Sequence, residues 1–352
     1  MNKKDMQYAI GKKSRAAAAS LAAVKYAMLQ TVERDELAEI EDVIDRYGSH
    51  TGAGKISAFD VLYSRIRYGT AVREYCMYHF WERSDRERAA YIGIPESRHF
   101  HHAYTYGDGS LFKNKEKFYG RFGKYFGRKL LSFNAAEDKD AFLDFLRAEG
   151  RVIVKPVAEG LGEGVEVFDL KSGGDPEAFF ARKIAEGPFV AEEMIRQAEP
   201  MKGLHPESVN TIRFATFIEG DKIHRLYAML RTGMGGEVVD NAAAGGLCAD
   251  VDVKTGIVRT GGVNYYGIAC DAHPDTGRQI KGLQIPEWDA LLALGDALAM
   301  EVPEQRFVGW DLAYSEDGWV VVEGNHHAAI RGEQMCRGAG LRPVFRAAGI
   351  DI

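Results

Sequence analysis

The stretch WDLAYSEDGWVVVEGNHHAA, Trp310 to Ala329, decides how the rest of the chain is read. Two apolar runs flank a turn, and Asp311, Glu323 and Asn325 sit inside runs whose other residues belong in a core. An unpaired carboxylate costs roughly several kcal/mol to bury, so a sheet interior does not hold such groups for packing. Within VVVEGN, Glu323 and Asn325 are two apart and a strand turns both to one face. The partner strand VGWDLAYS carries Asp311, and register makes a demand. A two-residue loop at Asp317 and Gly318 would set Asp311 opposite Gly324. A three-residue turn ending with Gly318 in a left-handed conformation would set it opposite Glu323. Two facing carboxylates with an amide oxygen repel one another unless a cation neutralises them. Their hard oxygens suit Mg²⁺, whose remaining positions go to water and nucleotide phosphates.

A second constellation lies upstream. VIVKPVAEGLGEGVEVF spaces Gly160, Gly162 and Gly164 as a dinucleotide loop might, but VEVF alternates as a strand does, and a dinucleotide loop must open a helix. What remains is a strand, glycine loop, strand hairpin with Lys155 on its incoming strand. Glycines let backbone amides close over phosphate oxygens, and a lysine supplies a point charge. An ordinary tight turn fits the same residues.

The surroundings are those of a globular protein. In 352 residues, 46% are hydrophobic and 27% charged, enough for two or three packed domains. A net charge of -6 argues against nucleic acid as the main partner. Cys76, Cys248, Cys270 and Cys336 show no CxxC spacing, which points to free thiols and a reducing cytoplasm rather than a zinc module or a disulfide framework. No apolar run reaches the ~18 residues of a membrane span.

Helical patterns run from Ala16 to Leu29 and from Glu33 to Tyr47. Gly93 to Gly109 reads as a connecting loop, with His99, His101 and His102 as a surface cluster. Phe118, Phe122 and Phe126 recur at helical spacing, so KNKEKFYGRFGKYFGRK is a helix with one buried face rather than a nucleic-acid patch. Strands and helices then mix, mainly in hairpins: an α+β architecture.

Taken with HPESVNTIRFATF, LRTGMGGEVVDNAAAGG, HPDTG, VGWDLA and VVEGN, the chain from about residue 111 to 330 resembles the sugar-transfer associated ATP-grasp proteins, relatives of glutamate ligases. The resemblance implies an ATP-grasp fold, two α+β subdomains gripping ATP, with a lid subdomain over 111–191, a large subdomain over 192–352 and a helical region over 1–110. It implies that Lys115 and Lys155 contact ATP and that Gly160, Gly162 and Gly164 form a mobile phosphate lid. FVAEEMI would be the adenine hinge, with Glu192 accepting from the adenine amino group, Glu193 beside it, and Met194 and Ile195 giving backbone contacts. Gln197 stands where related ligases place an acid toward the ribose. Asp311, Glu323 and Asn325 match the magnesium ligands.

Such ligases transfer the γ-phosphoryl group to a carboxylate, and an amine then attacks the acyl phosphate. Arg213 and Arg231 suit the charged species on that route. Asn241, Gly245 and Gly246 would line the acceptor side. His326 and His327 offer general bases less directly, and His205 and His273 less still. The expected activity is an ATP- and Mg²⁺-dependent carboxylate-amine ligase acting on small molecules in the cytoplasm, in glycan or natural-product biosynthesis, with the helical region shaping the acceptor pocket or mediating a homodimer. A kinase acting on a hydroxyl, or a nucleotide-binding scaffold, are the alternatives.

Overall fold

The computed structural model describes residues 3–51, 56–106, 109–158, 164–236, 245–265 and 267–352. Gly160, Gly162 and Asn241 lie outside the described residues. The chain opens with helices α1 (Lys3–Gly11), α2 (Arg15–Thr31), α3 (Arg34–Thr51), α4 (Ala58–Tyr68), α5 (Val72–Met77), α6 (Asp85–Arg88) and α7 (Ile94–Tyr104). The last corrects the loop expected over 93–109. Pro95 sits in the first turn, where its missing N–H costs nothing, and the Glu96 carboxylate accepts from the Gly93 amide at 3.2 Å. His101 is thereby turned inward on a helix instead of lying in a surface cluster.

Two short helices follow, α8 (Ser110–Lys113) and α9 (Lys115–Phe122), and Phe118, Phe122 and Phe126 are all buried. Next come β1 (Leu130–Phe133), α10 (Lys139–Glu149), β2 (Arg151–Pro156), β3 (Glu166–Asp169), α11 (Pro176–Glu186) and β4 (Phe189–Glu193). These strands form an antiparallel sheet of order β1-β4-β2-β3. Its core is aromatic, with Phe133, Phe142, Phe180 and Phe189 packed where the two helices cover the sheet.

The larger sheet contains β5 (Thr211–Glu219), β6 (Lys222–Thr232), β7 (Leu247–Val251), β8 (Gly262–Val263) and β9 (Ala269–Cys270). After α12 (Trp288–Glu301) it is completed by β10 (Phe307–Ser315) and β11 (Gly318–Asn325), in the order β11-β10-β5-β6-β7-β8-β9. Helices α13 (Ile330–Arg337) and α14 (Arg342–Ala347) close the chain. Alternation divides the sheet's two faces. Ile212, Phe214, Ala228, Leu230, Trp310 and Leu312 share one core with α9 and α12. On the opposite face, Met229 and Cys248 join the core of the helical region, with Met335 and Cys336 of α13. Ala215, Phe217, Tyr227 and Phe307 pack there beneath α7 and α14. The N-terminal helices are therefore part of the wall over this face, tied in further by Arg342 to Glu96 at 2.6 Å. No helix among the described residues is long and apolar enough to cross a membrane.

The last hairpin reaches the demanded register by a different route. Its turn residues are Glu316 and Asp317, and Gly318, at φ 104°, already pairs with Ser315. A plain two-residue turn would place Val322 opposite Asp311. A β-bulge between Asp311 and Leu312 leaves Val322 over, so that Asp311 faces Glu323.

Candidate active site

The bulge has a chemical consequence. It sets a row of charge across three neighbouring strands: Glu323 on β11 opposite Asp311 on β10, and Asp311 opposite Arg213 on β5. Asp311 is only 3% exposed, and both its oxygens are engaged. Arg213 forks onto it, with Nη2 donating to Oδ2 at 2.8 Å, and Arg231 Nη1 of β6 donates to the same oxygen at 2.8 Å. Burial alone would raise the Asp311 pKa, but the two guanidiniums outweigh it and hold the carboxyl well below the usual range. Glu323 is the opposite case. Burial and then the Asp311 carboxylate push its pKa up, although the residue retains solvent-exposed surface. Asn325, on the same face, donates to Glu323 Oε1 at 3.2 Å.

Among the described residues, no group of three or more His, Cys, Asp or Glu side chains is gathered to hold a metal by itself. The donor set fits a hard divalent cation in another way. Glu323 is repelled by the carboxylate beside it, and Asn325 donates through its nitrogen, which leaves its oxygen for a cation that would draw its other ligands from outside the chain.

On the smaller sheet, Lys155 of β2 lies diagonally across from Glu192 of β4, whose direct partner is Ile153, and Lys155 Nζ reaches Glu192 Oε1 at 2.7 Å. Arg128 donates twice to Glu192 Oε2, at 2.9 and 2.7 Å, and also to the Val321 carbonyl of β11 at 2.9 Å. It therefore ties the two sheets together. Burial opposes ionisation of Glu192, yet Lys155 and Arg128 bring its pKa down to about 2. A folded-state pKa below the ordinary 4.5 stabilises the fold above pH 4.5, and that contribution is lost as pH falls toward 2. Glu192→Gln should accordingly flatten the acid limb of the stability curve between those values, measured by urea unfolding against the parent protein.

The Glu192 carboxylate is engaged by these two cations, and the side chains of Glu193, Met194 and Ile195 are half-buried. Gln197 is buried and serves the chain itself: Nε2 donates to the Ser208 carbonyl at 2.5 Å and Oε1 accepts from the Asn210 amide at 2.7 Å. Lys115 reaches the Pro156 carbonyl at 2.8 Å, close in sequence to Lys155. Gly164, at φ 68°, borders the undescribed loop. The Gly245 carbonyl lies 3.4 Å from Asn264 Nδ2 and Gly246 is buried beside it. His205 and His273 are also structural: His205 bonds Ser208 and the Gly235 carbonyl, and His273 the Gly233 carbonyl at 2.8 Å. Sequence reasoning missed Arg128, whose signal is Gly127 breaking the aromatic repeat just before it.

A family model described as sugar-transfer associated ATP-grasp matches residues 103–349, which takes in every strand above. The chain belongs to the sugar-transfer associated ATP-grasp family. Helices α1 to α6 precede the matched region of this ATP-grasp protein. Among solved structures, the ATP-grasp ligase PsnB complexed with minimal precursor is similar at 15% identity and TM-score 0.43, over 69% of this chain and 61% of that one. D-alanyl-alanine synthetase A from Vibrio cholerae O1 biovar eltor is similar at 9% identity and TM-score 0.41, over 65% and 60%. D-cycloserine synthetase DcsG is similar at 15% identity and TM-score 0.41, over 68% and 69%. The chain thus spans about 60% of the length of the first two. No curated protein matches it.

Proposed function

We propose that this ATP-grasp protein is an ADP-forming carboxylate-amine ligase working through an acyl phosphate. The observation that carries the reading is the charge row Glu323, Asp311, Arg213 with Arg231 beside it, in a chain whose family is ATP-grasp. Glu323 and Asn325 would hold Mg²⁺, with Asp311 joining them on giving up one of its guanidinium contacts, and the ion when bound neutralises phosphate charge and orients the triphosphate. Lys155 and Lys115 would meet phosphate oxygens, and backbone amides near Gly160, Gly162 and Gly164 would close over them.

A substrate carboxylate oxygen attacks the γ-phosphorus; that O–P bond forms as the bond to the β–γ bridging oxygen breaks, and ADP leaves. The amine then attacks the acyl carbon, the C–N bond forms, the C–O bond to phosphate breaks, and the amine's extra proton passes to solvent or a nearby base. Arg213 and Arg231 meet at the Asp311 carboxylate, and planar guanidiniums of this kind would take up the charge of the tetrahedral intermediate. Asn241, Gly245 and Gly246 would border the acceptor.

The test is a panel of amino acids and small carboxylates with ATP and Mg²⁺, followed by ADP release and by hydroxamate formation with hydroxylamine. Carboxylate-dependent ADP release with a hydroxamate product supports the ligase. A phosphate ester as the stable product would make the protein a kinase instead.

A further inference from the structure

A cavity of about 410 Å³ lies between α7, α8 and the segment that follows β11. Its deeper residues are His101, Thr105 and the buried His326; Arg98, His102, Lys113 and His327 are exposed around its mouth. None of these lining residues is acidic, and two are permanent cations. The imidazoles are held in place by packing. His326 stacks on Phe112 with centroids 5.7 Å apart, His327 stacks on His326 at 4.4 Å, and His101 meets His327 at 5.1 Å. A side chain at Gly109 would collide with the His326 ring, and at φ 69° that position favours glycine in any case. The Thr105 hydroxyl donates to the His326 carbonyl at 3.1 Å, fixing the helix to this segment.

Stacked rings hold their nitrogens side by side instead of converging on a point, and among the described residues no metal-holding cluster forms here. The cavity is therefore not built as a cation site. It is built to donate. Among the described residues His101 Nδ1 is buried with no hydrogen-bond partner, while the rest of its half-buried ring lines the cavity. Burial, with His327 and His326 adding to it, takes the His101 pKa down to about 4, so this ring is neutral at pH 7 and the positive charge comes from Lys113 and from Arg98, which also pairs with Asp5 at 3.3 Å.

We propose that this cavity binds the anionic group, carboxylate or phosphate, of a small-molecule co-substrate. Arg98 and Lys113 would attract the anion at the mouth, and the imidazoles of His101 and His326 would receive it deeper in. The cavity is lined from the residue that follows Asn325, so a molecule anchored here would lie beside the end of β11. Its wall is drawn partly from Arg98, His101 and His102, which precede the family-matched region, so this anchoring belongs to the chain's own helical part. That the ligand is a substrate rests on the ligase reading; that an anion binds does not.

The test is isothermal titration of the full chain with inorganic phosphate and, separately, with succinate. Saturable binding of either is expected, and the one that binds tells which anion the cavity takes. Arg98→Gln/Lys113→Gln, two exposed positions, should weaken it roughly tenfold or more, the scale of losing a charge-assisted hydrogen bond. His101→Phe, set among Phe100 and Phe307, should weaken it as well, whereas Lys171→Gln, an exposed lysine outside the cavity lining, should leave it unchanged. Absence of binding by both anions, undiminished binding in the double variant, or an equal loss in Lys171→Gln would each overturn the proposal. Anion binding retained in a protein that never releases ADP would sink the ligase reading and leave this site standing.

Discussion

Glu323→Gln should lower ADP release by roughly 10²–10³-fold, the scale seen when an electrostatic contact to transition-state charge is lost. The substitution keeps the size of the side chain and removes the charge facing Asp311. Because burial and Asp311 already raise the pKa of Glu323, neutralising it relieves repulsion, so the folded protein should be as stable as the parent or slightly more so. Activity and stability are thus expected to move apart. Substrate-free ATP hydrolysis and the carboxylate-dependent rate should fall together, while the urea midpoint holds. Near-parental ADP release in this variant would remove Glu323 from the chemistry.

Arg213→Met should have the largest effect on stability. Asp311 is buried and takes a fork from Arg213 and a further contact from Arg231; losing the fork leaves a buried carboxylate with a single cation. Breaking a buried pair from one side costs about 3–5 kcal/mol, and the persistence of Arg231 argues for the lower end, about 3 kcal/mol. Arg213→Lys should recover only part of this, because an ammonium cannot fork. Urea unfolding checks both. A loss below about 0.5 kcal/mol in Arg213→Met, the size of an ordinary surface change, would mean that the ion pair contributes nothing.

The hairpin carrying Asp311 was legible because strand alternation forces Trp310 and Leu312 to one face and Asp311 to the other, whatever the turn. The facing of Asp311 and Glu323 was one of two registers the sequence allowed. The residue that selects it is Val322, and nothing marks an unpaired valine in a run of three. In IPESRHFHHAY, proline and histidines suggest a loop, yet Pro95 followed by Glu96 is also how a helix begins; Phe100, buried at 2%, decides the matter only through its contact with Phe217 and Phe307. That Glu192 lies on a strand was legible, while its partners were not equally so. Lys155 is its diagonal neighbour in the sheet, but Arg128 comes from a connection whose path no local pattern describes. Long-range pairing of this kind is set by tertiary packing, which a single sequence does not print.

The central claim, that the β10–β11 hairpin holds a divalent ion bearing ATP, is tested most directly by Mn²⁺ electron paramagnetic resonance on the full chain. With ATP present, the parent protein should retain Mn²⁺ in stoichiometric amount, and Glu323→Gln and Asn325→Ala should each release it while still folding. Mn²⁺ retained equally by the parent and both variants would contradict the claim.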